Sequence, residues 1–198
     1  QGQCLLAGFH IPMGAFEEVA LAHYAKWLNP KVHALIHVAT RRQGLVVAAG
    51  NPKHIQGVAD LTRPGIRYVN RQPSSGTHFL LQCLLQAAKV NPQDIEGYNL
   101  GEYTHAAVAA YVASGMADAG LAVETPAKRF KLDFVPLVTE RYFLLANQSD
   151  LDSPAIRAVL DILGSEAFKA SVNELPGYDA SDCATIQTLD QAFVRAKP

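Results

Sequence analysis

The segment Val69–Leu81, VNRQPSSGTHFLL, carries the residue types of an anion site at usable spacing. An apolar run through Ile66, Tyr68 and Val69 reads as a strand. Asn70-Arg71-Gln72-Pro73 breaks it, and a helix opens at Ser74-Ser75-Gly76-Thr77. A serine at the cap, small residues in the first turn and Gly76 let backbone N–H groups point outward at a helix N-terminus. Orphan donors and the helix dipole both favour negative charge there. Arg71 adds a cation whose planar fork suits an oxyanion. The plainer alternative is that Ser74 or Ser75 is only an N-cap, the common role of serine at this position.

The elements that must position this segment alternate between strand and helix. Cys4–Phe9 reads as a strand ending at His10, and Phe16–Trp27 as a helix stopped by Asn29-Pro30. Val32–Ala39 and Leu45–Ala49 read as two extended runs around Arg41-Arg42-Gln43-Gly44, where the arginines suit a solvated turn, or one of them reaches a ligand. A short helix spans Ile55–Leu61. Ile66–Asn70 and Ser75–Lys89 form the organising strand and helix. A brief strand at Gly97–Leu100 precedes an Ala-rich helix, Tyr103–Ser114, and a buried strand, Ala117–Val123. Glu124–Phe130 reads as a short helix. Asp133–Val138 and Arg141–Ala146 read as two extended runs touching at Thr139-Glu140. Pro154–Leu163 and Glu166–Glu174 are helices broken by Gly164-Ser165, and the tail after Gly177 is weakly patterned. The alternation argues an α/β fold with largely parallel sheets. If Leu45–Ala49 and Tyr142–Ala146 cross between two lobes, Pro52–Glu140 becomes one compact insert.

Composition narrows the function classes. Of 198 residues, 49% are hydrophobic and 18% charged, which fits a globular chain with a sizeable core. The net charge of −1 gives no basic excess, so direct nucleic-acid binding and attachment to an anionic membrane are not expected. No apolar run approaches the roughly 18 residues of a membrane span, and QGQCLLAGFHIPMG lacks a signal-peptide pattern, so a cytoplasmic location is expected unless a signal was removed upstream. Cys4, Cys83 and Cys183 are far apart and form no CxxC, which suits reduced structural thiols. The seven histidines include no HExxH and no zinc-type pairing with cysteine, so neither a metal nor a cofactor is expected.

AGFHIP, RRQGLVVAAGNP, NRQPSSGT, the Thr104-His105 pair, ADAGLAVE and ERYFLL occur in an order that resembles the type II periplasmic-binding-protein superfamily. The resemblance is greater to the PBP-like domain fused to winged or helix-turn-helix DNA-binding modules and to molybdopterin-biosynthesis-type proteins. It runs from Leu5 to Tyr178 and implies a two-lobed α/β fold, with residues 1–50 and 141–198 in one lobe and 51–140 in the other. Members of the family carry a strand–helix unit ahead of the AGFH-like segment, so two expectations stand: a stand-alone or fragmentary domain in which that unit is absent, or a first lobe part of which lies outside the given sequence. The resemblance implies a small anionic ligand such as molybdate or tungstate, or a molybdopterin-related compound, bound in an interlobe cleft that closes around it. A DNA-binding module or partner protein would receive the signal. The alternatives are a solute-binding protein of an oxyanion ABC transporter and a cofactor-handling domain of molybdopterin biosynthesis.

Carried over by the same resemblance, Ser74, Ser75, Gly76 and Thr77 would be anion donors and Arg71 a charge partner. Thr104 and His105 would face the ligand from the next helix start, or Thr104 would only cap that helix. His10 would sit at a strand end, Tyr142 on the return crossing, and Glu124 at a position that touches ligand or hinge. Glu124 otherwise pairs with Arg71 or Lys128. Asp118, inside ADAGL, is expected to cap or orient the turn after Gly115. A Ser75–histidine pair is conceivable, but no GxSxG elbow and no aspartate partner accompany it, so catalysis is not expected.

Overall fold

The computed structural model describes residues 4–193. In chain order the elements are β1 (Ala7–Pro12), α1 (Glu17–Tyr24), β2 (His33–Val47), β3 (Tyr68–Arg71), α2 (Gly76–Ala87), β4 (Gly101–Glu102), α3 (His105–Ala113) and β5 (Ala119–Val123). There follow α4 (Glu124–Arg129), β6 (Asp133–Asn147), α5 (Pro154–Gly164), α6 (Glu166–Asn173), β7 (Tyr178–Asp179), β8 (Ile186–Thr188) and α7 (Leu189–Ala192). The chain forms two units. Unit 1 takes the chain up to Arg41 and again from Glu140; unit 2 is Arg42–Thr139. β2 and β6 run through both.

Unit 2 holds the SSGT segment. Its sheet is ordered β2-β5-β3-β4. β3 is parallel to β4 and to β5, whereas β5 is antiparallel to β2, from Gln43 opposite Val123 to Val47 opposite Ala119. α3 packs on this sheet through Val108, Ala109 and Val112, against Val46, Val69 and Ala122. Gly120 allows the close approach. A Cβ there would lie 2.4 Å from Val108 Cγ1 and 2.9 Å from Val69 Cγ1, so no larger residue fits between helix and strand.

Unit 1 pairs β1 antiparallel with β6, from Ala7 opposite Leu145 to Pro12 opposite Glu140. β7 and β8 pair antiparallel with β2. Helix α5 starts at Ser153, whose side chain accepts from Ile156 N–H, with Pro154 in the first turn where its missing N–H costs nothing. Its Ile156 and Leu163, seven residues apart and so on one face, are buried with Ile36, Ala146, Ala180 and Cys183. Ser165 ends α5 and caps α6 by accepting from Phe168 N–H at 3.2 Å.

Four expectations are corrected. Arg41-Arg42-Gln43-Gly44 is not a turn, and Thr139-Glu140 is not a junction between two runs; β2 and β6 are each one continuous strand of 15 residues. Every polar side chain in the Arg41–Gln43 interruption finds a partner inside its own unit, so the strand continues. Arg41 pairs with Glu140, Arg42 with Glu124, and Gln43 with Thr77. β1 is shifted towards Pro12, which puts His10 mid-strand rather than at a strand end. The sheet is mixed, since β3 runs parallel to β4 and β5 whereas β5 runs antiparallel to β2. Of the weakly patterned tail after Gly177, the described residues include β7, β8 and α7.

Candidate anion site at the carboxyl edge of the unit 2 sheet

Three helix starts share one edge of the unit 2 sheet. Parallel β4, β3 and β5 lead into α3, α2 and α4 respectively. Open α/β sheets bind ligands outside the carboxyl ends of such strands. Antiparallel β2 adds Gln43, which lies opposite Val123, the last residue of β5.

The caps of α2 and α3 use the same chemistry. Ser75 Oγ accepts from His78 N–H at 3.1 Å, and Thr104 Oγ1 accepts from Ala107 N–H at 3.0 Å. A hydroxyl that accepts from its own helix still carries one O–H donor. The capping and ligand-donor readings of Ser75 and Thr104 are therefore compatible. Gly76 and Thr77 open α2 and Ala106 lies in the first turn of α3, where the backbone N–H groups of a helix find no acceptor within the helix itself. Ser74 is exposed just ahead of the α2 cap, whereas Thr77 is 2% exposed and its Oγ1 accepts from Gln43 Nε2 at 3.2 Å. Gln43 was not singled out from sequence. The available signal was a polar residue inside an apolar alternation.

Arg71 ends β3 and is buried. Its fork engages the connection from β4 into α3. Nε donates to Glu102 O at 3.2 Å, Nη2 to Tyr103 O at 3.0 Å, and Nη1 lies 3.1 Å from His105 Nδ1. Gln72 N–H donates to Glu102 O at 3.1 Å, and Ser75 N–H to Gln72 O at 3.0 Å. The segments that open α2 and α3 are thus tied together, and Arg71 brings its charge beside the start of α3.

Glu124 opens α4 and is 7% exposed. It pairs with Arg42 rather than with Arg71 or Lys128, the partners expected from sequence. A carboxylate in the first turn suits the helix dipole, and Arg42 offsets its charge. Asp118 precedes β5. It accepts from the Arg67 backbone N–H at 2.8 Å and from Arg67 Nε and Lys53 Nζ at 3.1 Å, so it fastens the start of β3 to β5. Burial works to raise its pKa, but these donors prevail and hold it down at about 2.

His10 and Tyr142 belong to unit 1, where they are a cross-strand pair with ring centroids 5.4 Å apart. Tyr142 also carries the Arg41 guanidinium 5.6 Å over its ring, and Arg41 Nε donates to Glu140 at 2.6 Å. Among the described residues no group of three or more His, Cys, Asp or Glu is arranged to hold a metal ion, and no helix is long and apolar enough to cross a membrane.

Residues 1–164 match the family described as the PBP superfamily domain. The uncharacterized protein YvgK of Bacillus subtilis is 36% identical over 179 residues, 90% of this chain and 58% of that protein. The chain thus spans little more than half the length of this relative. The molybdate-binding protein ModA of Mycobacterium tuberculosis is 39% identical over 87 residues, 42% of this chain and 30% of that protein. Among solved structures, a substrate binding domain ascribed to a molybdenum ABC transporter of Clostridium difficile shares the fold, with a TM-score of 0.50, 18% identity, and 90% of this chain and 77% of that chain covered. The chain belongs to the PBP superfamily domain family, with the α/β fold of type II periplasmic-binding-protein-like domains.

Proposed function

We propose that the chain binds a small oxyanion, molybdate in the first instance, at the carboxyl edge of the unit 2 sheet. The observation that carries the proposal is the pair of N-cap hydroxyls, Ser75 and Thr104. They stand at neighbouring helix starts joined through Arg71, Gln72 and Glu102. A tetrahedral dianion needs several converging N–H and O–H donors and little opposing charge. The edge supplies the cap hydroxyls, the first-turn N–H groups of Gly76 and Thr77, the Ser74 hydroxyl, and the Arg71 charge behind them. Arg42 offsets Glu124, the carboxylate that would otherwise oppose an anion. ModA of M. tuberculosis and the molybdenum-transporter domain of C. difficile support molybdate as the first ligand to try. Binding, not turnover, is the activity these groups support. They include neutral donors and a charge pair but no nucleophile with a base and its orienting carboxylate.

The test is thermal unfolding with molybdate, tungstate, sulfate, phosphate and a set of pterins. A ligand at about 100 times its Kd that binds only the folded chain adds roughly 2.7 kcal/mol. The expected result is a clear shift with molybdate and tungstate that is lost in Ser75→Ala. A shift with a pterin alone would replace the oxyanion with an organic ligand. A molybdate shift unchanged in Ser75→Ala and in Thr104→Ala would remove the site from this edge.

A further inference from the structure

We propose that Arg71 is a positioning residue that fixes the tautomer of His105, making the imidazole a neutral Nε2–H donor at the anion site. The inference rests on the site proposed above, and its core is the contact between Arg71 Nη1 and His105 Nδ1 at 3.1 Å. A guanidinium stays protonated in proteins and offers only donors. Nδ1 of His105 must therefore accept, which a protonated Nδ1 cannot do. The neutral ring then carries its proton on Nε2. With Nδ1 facing the guanidinium, the tautomer follows from the contact, because the partner has no acceptor.

The fork is held rigidly enough to impose this choice. Arg71 is 9% exposed, and its other nitrogens bond the carbonyls of Glu102 and Tyr103, two of the three residues immediately before His105. Arg71 thus grips the backbone that leads into α3 and the first side chain of the helix together. Lysine can supply the charge but not three donors in one plane. The sequence suggested Arg71 as a direct charge partner of the ligand. In the proposed role its effect reaches the ligand through the imidazole.

The deciding measurement is the nitrogen-15 spectrum of the histidine rings in the unliganded protein, well above the ordinary imidazole pKa of about 6.5. His105→Gln identifies the resonances by their loss. The expected wild-type result is a single tautomer with a protonated Nε2 and a bare Nδ1, changing to a mixture in Arg71→Lys and Arg71→Met. A mixed or Nδ1-protonated ring in the wild type overturns the proposal, and this reading needs neither Arg71 variant. Molybdate affinity supplies the second readout. Arg71→Lys is expected to weaken binding about tenfold in the wild type. In the His105→Gln background, where the side-chain amide donor has no tautomer to fix, it is expected to cost much less. An equal loss in both backgrounds means that Arg71 acts directly on the ligand and overturns the positioning role. A protein that shows the fixed tautomer yet binds no oxyanion refutes the binding function while upholding the Arg71–His105 pair.

Discussion

Gln43 donates from Nε2 to Oγ1 of Thr77 at 3.2 Å, joining β2 to the first turn of α2 inside a fully buried environment. Gln43 is 0% and Thr77 2% exposed, so bulk water does not reach either group. Replacing Gln43 by leucine keeps most of the volume but leaves the Thr77 hydroxyl without its donor. An unsatisfied buried group costs about 1–3 kcal/mol, and removing both partners is much milder. Gln43→Leu should therefore lower the urea midpoint, and Gln43→Leu with Thr77→Val should recover part of the loss. A double variant no better than the single one would show that this bond is not what holds the pair.

The ion pair of Arg42 and Glu124 is asymmetric, with the arginine side chain 49% exposed and the glutamate 9%. Breaking a fully buried pair costs about 3–5 kcal/mol. Solvent screening at the half-exposed arginine reduces the expected cost of Arg42→Ala to about 1–2 kcal/mol. Adding Glu124→Gln removes the stranded charge and should restore most of the stability. Molybdate affinity should follow the same order, falling in Arg42→Ala and recovering in the double variant. Equal affinity in all three proteins would place Glu124 away from the ligand.

The two helix starts were legible from sequence because capping is local: Ser75 reaches only to His78, and Thr104 only to Ala107. The family motifs lie in the same local segments. The crossing strand β2 was hidden because its middle, Arg41-Arg42-Gln43-Gly44, has the composition of a turn. What makes it a strand is supplied from afar, by Glu140 at 99 residues from Arg41 and by Thr77 at 34 from Gln43. Long-range pairing overrides local propensity in strands more than in helices. The same reason explains why Gln43 escaped notice and why Glu124 was given the wrong partner.

Gly44 lies where β2 meets the unit 2 portion of β6. A Cβ on this residue would sit 2.2 Å from the Val135 carbonyl oxygen and 2.9 Å from the Pro136 Cα. Backbone atoms cannot rotate away, so the strands must part. Gly44→Ala should destabilise the protein by about 1–3 kcal/mol, the usual cost of overpacking. Gly57→Ala is the control, because its φ of −170° is ordinary extended backbone and a Cβ there meets nothing within 4 Å. It should stay within about 0.5 kcal/mol of the parent. Equal melting temperatures for the two variants would refute the close approach at Gly44.

Asp118 sets the acid limb of stability. Its folded pKa, about 2, lies below the ordinary 3.8, because hydrogen bonds from Arg67 and Lys53 outweigh the burial that opposes them. A carboxylate whose pKa falls on folding contributes its full stabilisation above the unfolded value and loses it as pH drops towards the folded one. The window is therefore from about pH 4 down to about pH 2. The shift alone corresponds to roughly 2 kcal/mol, and screening at the half-exposed Arg67 and Lys53 brings the expectation to about 1–2 kcal/mol. Asp118→Asn should be less stable than the parent at neutral pH by that amount. The gap should narrow as pH falls through the window, because only the parent loses an ionised partner for Arg67. Urea unfolding at a series of pH values measures both curves. A gap that stayed constant from pH 6 to pH 2 would show that Asp118 contributes through its shape and neutral hydrogen bonds, and not through its charge.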